Sequence, residues 1–174
     1  VVLIIGGTSV GTSAKKAYDY RIREEDMGKN AIVWNNDQYI LSGNDKLDKA
    51  YKEIESQLGI KPLKMTTVPF DMIFQELKIE HGNALLKFKY NDHIICITQS
   101  KRDVTTSNTV VSDRKVYKTI YNIWLEKDIN IAKNKLPGGE IEYSSKINLD
   151  GAYYYLSGVM DEDDFISLIE NVIY

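Results

Sequence analysis

The sequence predicts an α+β fold: an antiparallel β-sheet of about six to eight strands with two main helices packed on one face. Three observations carry that expectation. Two segments, near residues 45–58 and over 161–174, repeat apolar residues at helical spacing. Between them lie short runs rich in β-branched and aromatic residues. The joints between those runs are rich in Gly, Asn and Asp, the residues of tight hairpin turns.

The chain opens on Val1-Val2-Leu3-Ile4-Ile5, continues through Gly6-Gly7-Thr8-Ser9-Val10-Gly11-Thr12-Ser13-Ala14, and meets its first charges at Lys15-Lys16. An uncharged run that stops at a lysine pair suits the end of a signal peptide or membrane helix over residues 1–17, since about 18 or more apolar residues are needed to span. Residues 18–30, with Arg21-Ile22-Arg23-Glu24-Glu25-Asp26, then read as a solvated connector, and 31–174 as a single α+β ectodomain. The alternative is a buried strand leading into a glycine-rich loop from Gly6 to Ser13, in a cytosolic nucleotide-binding protein or enzyme. Gly6 and Gly11 have the spacing of a phosphate loop. Thr12 stands where the phosphate-binding lysine is needed, however, and Lys15 and Lys16 come too late. The glycines also miss the G-x-G-x-x-G fingerprint.

Ala31–Trp34 and Gln38–Leu41 read as strands around the turn Asn35-Asn36-Asp37. Asn44 or Asp45 then caps a helix whose apolar face is Leu47, Ala50, Tyr51, Ile54 and Leu58; Gly59 ends it and Pro62 prevents its return. Met72–Glu80, Ala84–Tyr90 and Ile94–Gln99 form a three-stranded meander through turns at His81-Gly82-Asn83 and Asn91-Asp92-His93. A polar loop from Lys101 to Arg114 leads to a strand over Val116–Leu125. Pro137-Gly138-Gly139 turns the chain into Glu140–Asn148, and Asp150-Gly151 turns it again into Ala152–Gly158. The last helix starts at Asp161 as its cap, with Glu162, Asp163 and Asp164 favoured in the first turn by the helix dipole. Its apolar face is Phe165, Leu168, Ile169, Val172 and Ile173. Ile54, Leu58, Phe165, Ile169 and Val172 are therefore expected to be buried against Leu86, Phe88, Ile95 and Ile97.

The 22 basic and 25 acidic side chains give a net charge of −3, so no basic field advertises a nucleic-acid partner. A single cysteine, Cys96, excludes an intrachain disulfide and a cysteine-built zinc site. Cys96 sits in the buried-strand pattern Ile94-Ile95-Cys96-Ile97, where a thiol is an inert small hydrophobe. His81 and His93 fall in turns roughly 20 Å apart, at opposite ends of one strand. Asp161 to Asp164 lack the alternating ligands and central glycine of a calcium loop, and helix capping accounts for them. With no hydrolase elbow, zinc-protease helix or kinase set, neither an enzymatic activity nor a cofactor or metal is expected.

The tyrosines carry the site expectation. Twelve tyrosines stand against four phenylalanines, and Tyr153-Tyr154-Tyr155 places rings on both faces of one strand. Tyr154 shares its face with Leu156 and belongs to the core. Tyr153 and Tyr155 then lie on the open face, with Tyr143 or Tyr121 on nearby strands. Exposed tyrosines suit recognition because each ring gives contact area at low conformational-entropy cost. The expected partner is an envelope protein or a cell-wall ligand.

Leu58-Gly59-Ile60-Lys61-Pro62, Leu86-Lys87-Phe88-Lys89-Tyr90 and Ile95-Cys96-Ile97-Thr98-Gln99-Ser100 give the second half of the chain a recognisable grammar. It closes with Gly151-Ala152-Tyr153-Tyr154-Tyr155-Leu156-Ser157-Gly158 and Asp161-Glu162-Asp163-Asp164-Phe165. From Leu58 to Tyr174 this resembles an uncharacterised ectodomain family of Gram-positive bacteria. Its members stand behind one membrane helix in anti-sigma-factor-like or sporulation-associated proteins. Thr67-Val68-Pro69-Phe70 replaces the proline-rich entry usual in that family. The resemblance implies a membrane-anchored, extracytoplasmic sensory or protein-interaction domain that is not an enzyme, and it transfers no catalytic residue.

Overall fold

The computed structural model of the chain describes residues 39–41, 45–101 and 115–174, all within the unit Asp37–Tyr174. The expected membrane-helix or signal-peptide end over 1–17, the Gly6–Ser13 loop, the connector over 18–30 and the strand Ala31–Trp34 lie outside the described residues.

Strand β1 (Tyr39–Leu41) precedes helix α1 (Asp45–Leu58), two short strands β2 (Lys64–Met65) and β3 (Thr67–Pro69), and the long strands β4 (Met72–Glu80), β5 (Asn83–Tyr90) and β6 (His93–Lys101). After residue 114 come β7 (Val116–Asn122), β8 (Lys127–Lys135), β9 (Ile141–Leu149), β10 (Ala152–Val159), helix α2 (Glu162–Glu170) and β11 (Val172–Ile173). The fold is α+β. A seven-stranded sheet runs in the order β4-β5-β6-β10-β9-β8-β7, and β1-β3 and β11-β2 form two-stranded sheets. Every pairing is antiparallel. The long sheet is thus two meanders, β4 to β6 and β7 to β10, joined where β10 lies against β6.

Helix α1 forms where its apolar spacing predicts, and all five residues of its apolar face are buried. Asp45 and Asp48 occupy its first turn, where the macrodipole favours them. Gly59, at φ +59°, ends it by turning its N–H back to the Glu55 carbonyl at 2.9 Å. Helix α2 is shorter than its apolar spacing predicts. It stops at Glu170, and Val172-Ile173 leave it to pair with Met65 and Lys64 of β2. The reason is tertiary. The buried Asn122 amide donates to the carbonyls of Ile169 (2.7 Å), Glu170 (3.3 Å) and Val172 (3.0 Å), which satisfies the helix end from a neighbouring strand. The same side chain shortens β7: its Oδ1 accepts the Trp124 and Leu125 N–H groups and bends residues 123–126 into a turn, where the sequence predicted strand to Leu125.

The core is one cluster. Ile54, Leu58, Phe165, Ile169 and Val172 are buried in it together with Leu86, Phe88, Ile95 and Ile97, as the two periodicities require. Two polar side chains, those of Gln99 and Tyr154, are paired across it. Gln99 both accepts the Leu63 N–H (2.9 Å) and donates to the Leu63 carbonyl (3.0 Å), and Tyr154 donates to the Lys61 carbonyl (2.6 Å). Gly158 of β10 is there for space: a Cβ would sit 2.3 Å from Ile95 Cδ1 and 3.1 Å from its Cα.

Candidate functional site

The acidic start of α2 meets one end of the sheet. Asp161 stands at the N-cap with extended backbone (φ −65°, ψ 146°), yet its side chain makes no capping bond, contrary to the role its position suggests. It turns instead toward β5. The Tyr90 hydroxyl donates to Asp164 Oδ2 at 2.5 Å, with Asp161 Oδ2 at 3.1 Å from the same oxygen. Burial, then the Asp164 carboxylate, pushes the Tyr90 hydroxyl far above its ordinary pKa, so it remains a donor. A cavity of about 660 Å³ opens here, lined by Phe70, Asp71, Tyr90, Asp161, Glu162 and Asp164 among others. Its acidic lining favours a cationic group over an anion.

Beside that cavity Glu162 gathers three donors. Tyr117 lies 3.0 Å from both of its oxygens, Tyr143 donates to Oε2 at 3.1 Å, and Lys133 Nζ stands 3.3 Å from the same atom. The Lys133 ammonium is also 4.4 Å from the centre of the Tyr117 ring and 5.5 Å from that of Tyr143. The Tyr117 hydroxyl above all, then the Tyr143 hydroxyl and the Lys133 ammonium, holds the Glu162 carboxyl below its ordinary value. The Tyr143 hydroxyl, then Tyr117 and Glu162, raises the Lys133 pKa. Both groups therefore keep their charges near neutral pH, an arrangement that fixes geometry rather than one poised for proton transfer. None of these contacts was evident from sequence, because they join β7, β8, β9 and α2.

The four tyrosines singled out from sequence do not form one patch. Tyr153 and Tyr155 lie half-buried on the outer face of β10, opposite Ser100 and Thr98 of β6 and Asn148 and Lys146 of β9. Lys146 Nζ is 5.1 Å from the Tyr153 ring centre. Burial raises the Tyr153 hydroxyl pKa. Tyr121 is 57% exposed, but on β7, three strands from β10 and so about 14 Å away at the usual strand spacing. Tyr143 is a correction. It is 4% exposed, on the core face, with its ring stacked on Phe165 at 5.7 Å. The reason is the two-residue turn Asp150-Gly151, with φ +44° and +77°, which sets Leu149 opposite Ala152. Odd residues of β9 then face even residues of β10, so Tyr143 falls opposite Gly158 and joins Tyr154, not Tyr153.

Cys96 is half-buried on the outer face, and burial pushes its thiol up, which keeps it protonated. His93 lies 3.7 Å from Glu140, while His81 takes φ +50° in its own turn, so the two histidines stay apart. Among the described residues no group of three or more His, Cys, Asp and Glu side chains is placed to hold a metal ion. No helix among them is long and apolar enough to cross a membrane. No protein-family model, curated protein or solved structure matches the chain.

Proposed function

We propose that this chain is a non-enzymatic, extracytoplasmic sensory or protein-interaction domain of a membrane-tethered bacterial protein, belonging with the Gram-positive ectodomains it resembles. The observation that carries the reading is the pair Tyr153 and Tyr155, set side by side on the outer face of the sheet. Around them, β6 and β10 present uncharged residues on that face: Thr98 and Cys96 on one, Tyr153, Tyr155 and Ser157 on the other. Flat rings amid hydroxyls suit a cell-wall ligand or the surface of an envelope protein. The reading also takes both helices to cover the opposite face. In its favour, Phe165 of α2 stacks on Tyr143, and Gln99 and Tyr154 reach the segment that follows α1 from the core side of their strands. The apolar opening that stops at Lys15-Lys16 supports the tether.

The test has two parts. Protease accessibility on intact cells should place the domain outside the cytoplasmic membrane; a protected, cytosolic protein that binds nucleotide would replace this reading with the Gly6–Ser13 one. The double substitution Tyr153→Ser with Tyr155→Ser should abolish co-sedimentation with purified cell walls, or capture of an envelope partner, at an unchanged melting temperature. A large fall in melting temperature would show instead that the two rings serve the fold.

A further inference from the structure

Five of the eight large apolar side chains that stand exposed among the described residues lie on β7 or in the turn after it: Val116, Tyr117, Tyr121, Ile123 and Trp124. β7 is an edge of the seven-stranded sheet, with β8 on one side and no strand on the other among the described residues. An edge strand leaves alternate N–H and C=O groups turned outward, a template for another strand, and proteins usually protect it with charge. β7 carries one charge, Lys118. We propose that β7 pairs antiparallel with β7 of a second copy of this chain, joining two seven-stranded sheets across a two-fold axis.

The residues of β7 suit that self-pairing. From Lys118 to Asn122 the strand runs in unbroken register with β8, so its outer side presents a regular ladder. A two-fold axis at Ile120 sets Ile120 against Ile120, Thr119 against Tyr121 and Lys118 against Asn122. An axis at Thr119 sets Thr119 against itself and Lys118 against Ile120. Neither register opposes like charges, and both match β-branched or aromatic residues, the pairs that stabilise neighbouring strands. The other edge, β4, is a poorer partner. Both edges carry one bulge, β7 between Val116 and Lys118 and β4 between Phe74 and Glu76, so charge rather than register separates them. The outward acids of β4 are neutralised within their own chain, Glu76 by Lys87 at 2.7 Å and Glu80 by Lys78 at 3.0 Å, which leaves little field to draw Lys118. Pairing of β7 with β4 would also be head-to-tail and grow into filaments, whereas β7 with β7 closes as a dimer.

Sedimentation velocity on the full chain across the micromolar range tests the proposal. A concentration-dependent dimer with no larger species is expected. Tyr121→Lys should weaken it at least about tenfold, as loss of an interface anchor does. Ile73→Lys, on the opposite edge, should leave it unchanged. Both positions are more than half exposed, so both variants should keep the wild-type melting temperature. A chain that stays monomeric throughout, or a dimer indifferent to Tyr121→Lys, would overturn the inference. Species that grow beyond a dimer and are weakened by Ile73→Lys would overturn it in favour of the β4 edge.

Discussion

Along β4 the outer-face positions after Ile73 hold Glu76, Lys78 and Glu80, each engaged in an ion pair, while along β7 Val116 and Tyr121 stand half or more exposed with Lys118 as the only charge. The difference extends inward. β4 buries Met72 fully and Phe74, Leu77 and Ile79 in part, so one side of the strand is secured by ordinary apolar packing. β7 buries Asn122 and half-buries Ile120, and it depends for its position on polar reach: Asn122 to the end of α2, and Tyr117 to Glu162 at the start. A strand held by hydrogen bonds at both ends can leave its apolar side chains free for contact. A strand held by its apolar side chains can spend its outer face on charge. The first suits an edge that meets something, and the second an edge that repels.

Three substitutions test that contrast, in descending order of effect. Phe165→Ala removes the fully buried ring on which Tyr143 stacks, and should cost about 3–5 kcal/mol in urea unfolding. If β7 depends on α2 as argued, amide exchange should quicken in β7 and β8 before β4 and β5. Asn122→Ala strips the carbonyls of Ile169, Glu170 and Val172 of their shared donor, a loss of about 2–3 kcal/mol. Exchange confined to α2, β7 and the 123–126 turn would sharpen the contrast; uniform loss across both edges would break it. Glu162→Gln should have the smallest effect, and one that depends on pH. Folding lowers the Glu162 pKa from 4.5, so its contribution is present above the unfolded value and is lost as pH falls through the folded one. The stability gap between wild type and Glu162→Gln should thus be widest near neutral pH and close below about pH 4. A gap that persists or widens in acid would mean that the network does not act through the charge on Glu162.

How far these features could be read in advance depended on whether their cause was local. Helix α1 was legible because its capping acids, apolar spacing and terminal Gly59 all lie within its own residues. The long strands β4, β5, β6, β9 and β10 were legible from alternation and from turn residues at their ends. β8 was not: in Lys127–Lys135 only Ile129, Ile131 and Ala132 are apolar, and the lysines and asparagines around them resemble a loop. The early stop of α2 was hidden because Val172 and Ile173 continue its helical spacing, while the group that ends it, Asn122, lies 47 residues from Ile169. Tyr143 is the instructive case. Its face follows from the length of a turn that composition had already marked, since a two-residue connection fixes which parity of β9 meets which parity of β10. Strand order was beyond local reading: neighbours in sequence usually pair, but β6 takes β10 rather than β7.

The place of β10 between β6 and β9 bears on how the chain is made. Synthesis proceeds from the amino end, and segments begin to fold as they emerge. By the time β9 exists, the first meander is complete and the second lacks only β10, yet no ladder joins them. β6 and β9 each still present an open side, waiting for Ala152–Val159. A growing chain therefore passes through a stage with two exposed inner edges, one of them bearing Ile95 and Ile97. A single late strand, arriving just before α2, closes both at once. A premature stop between Leu149 and Ala152 would leave that stage permanent, so such a truncated product should be an aggregation-prone form of this protein.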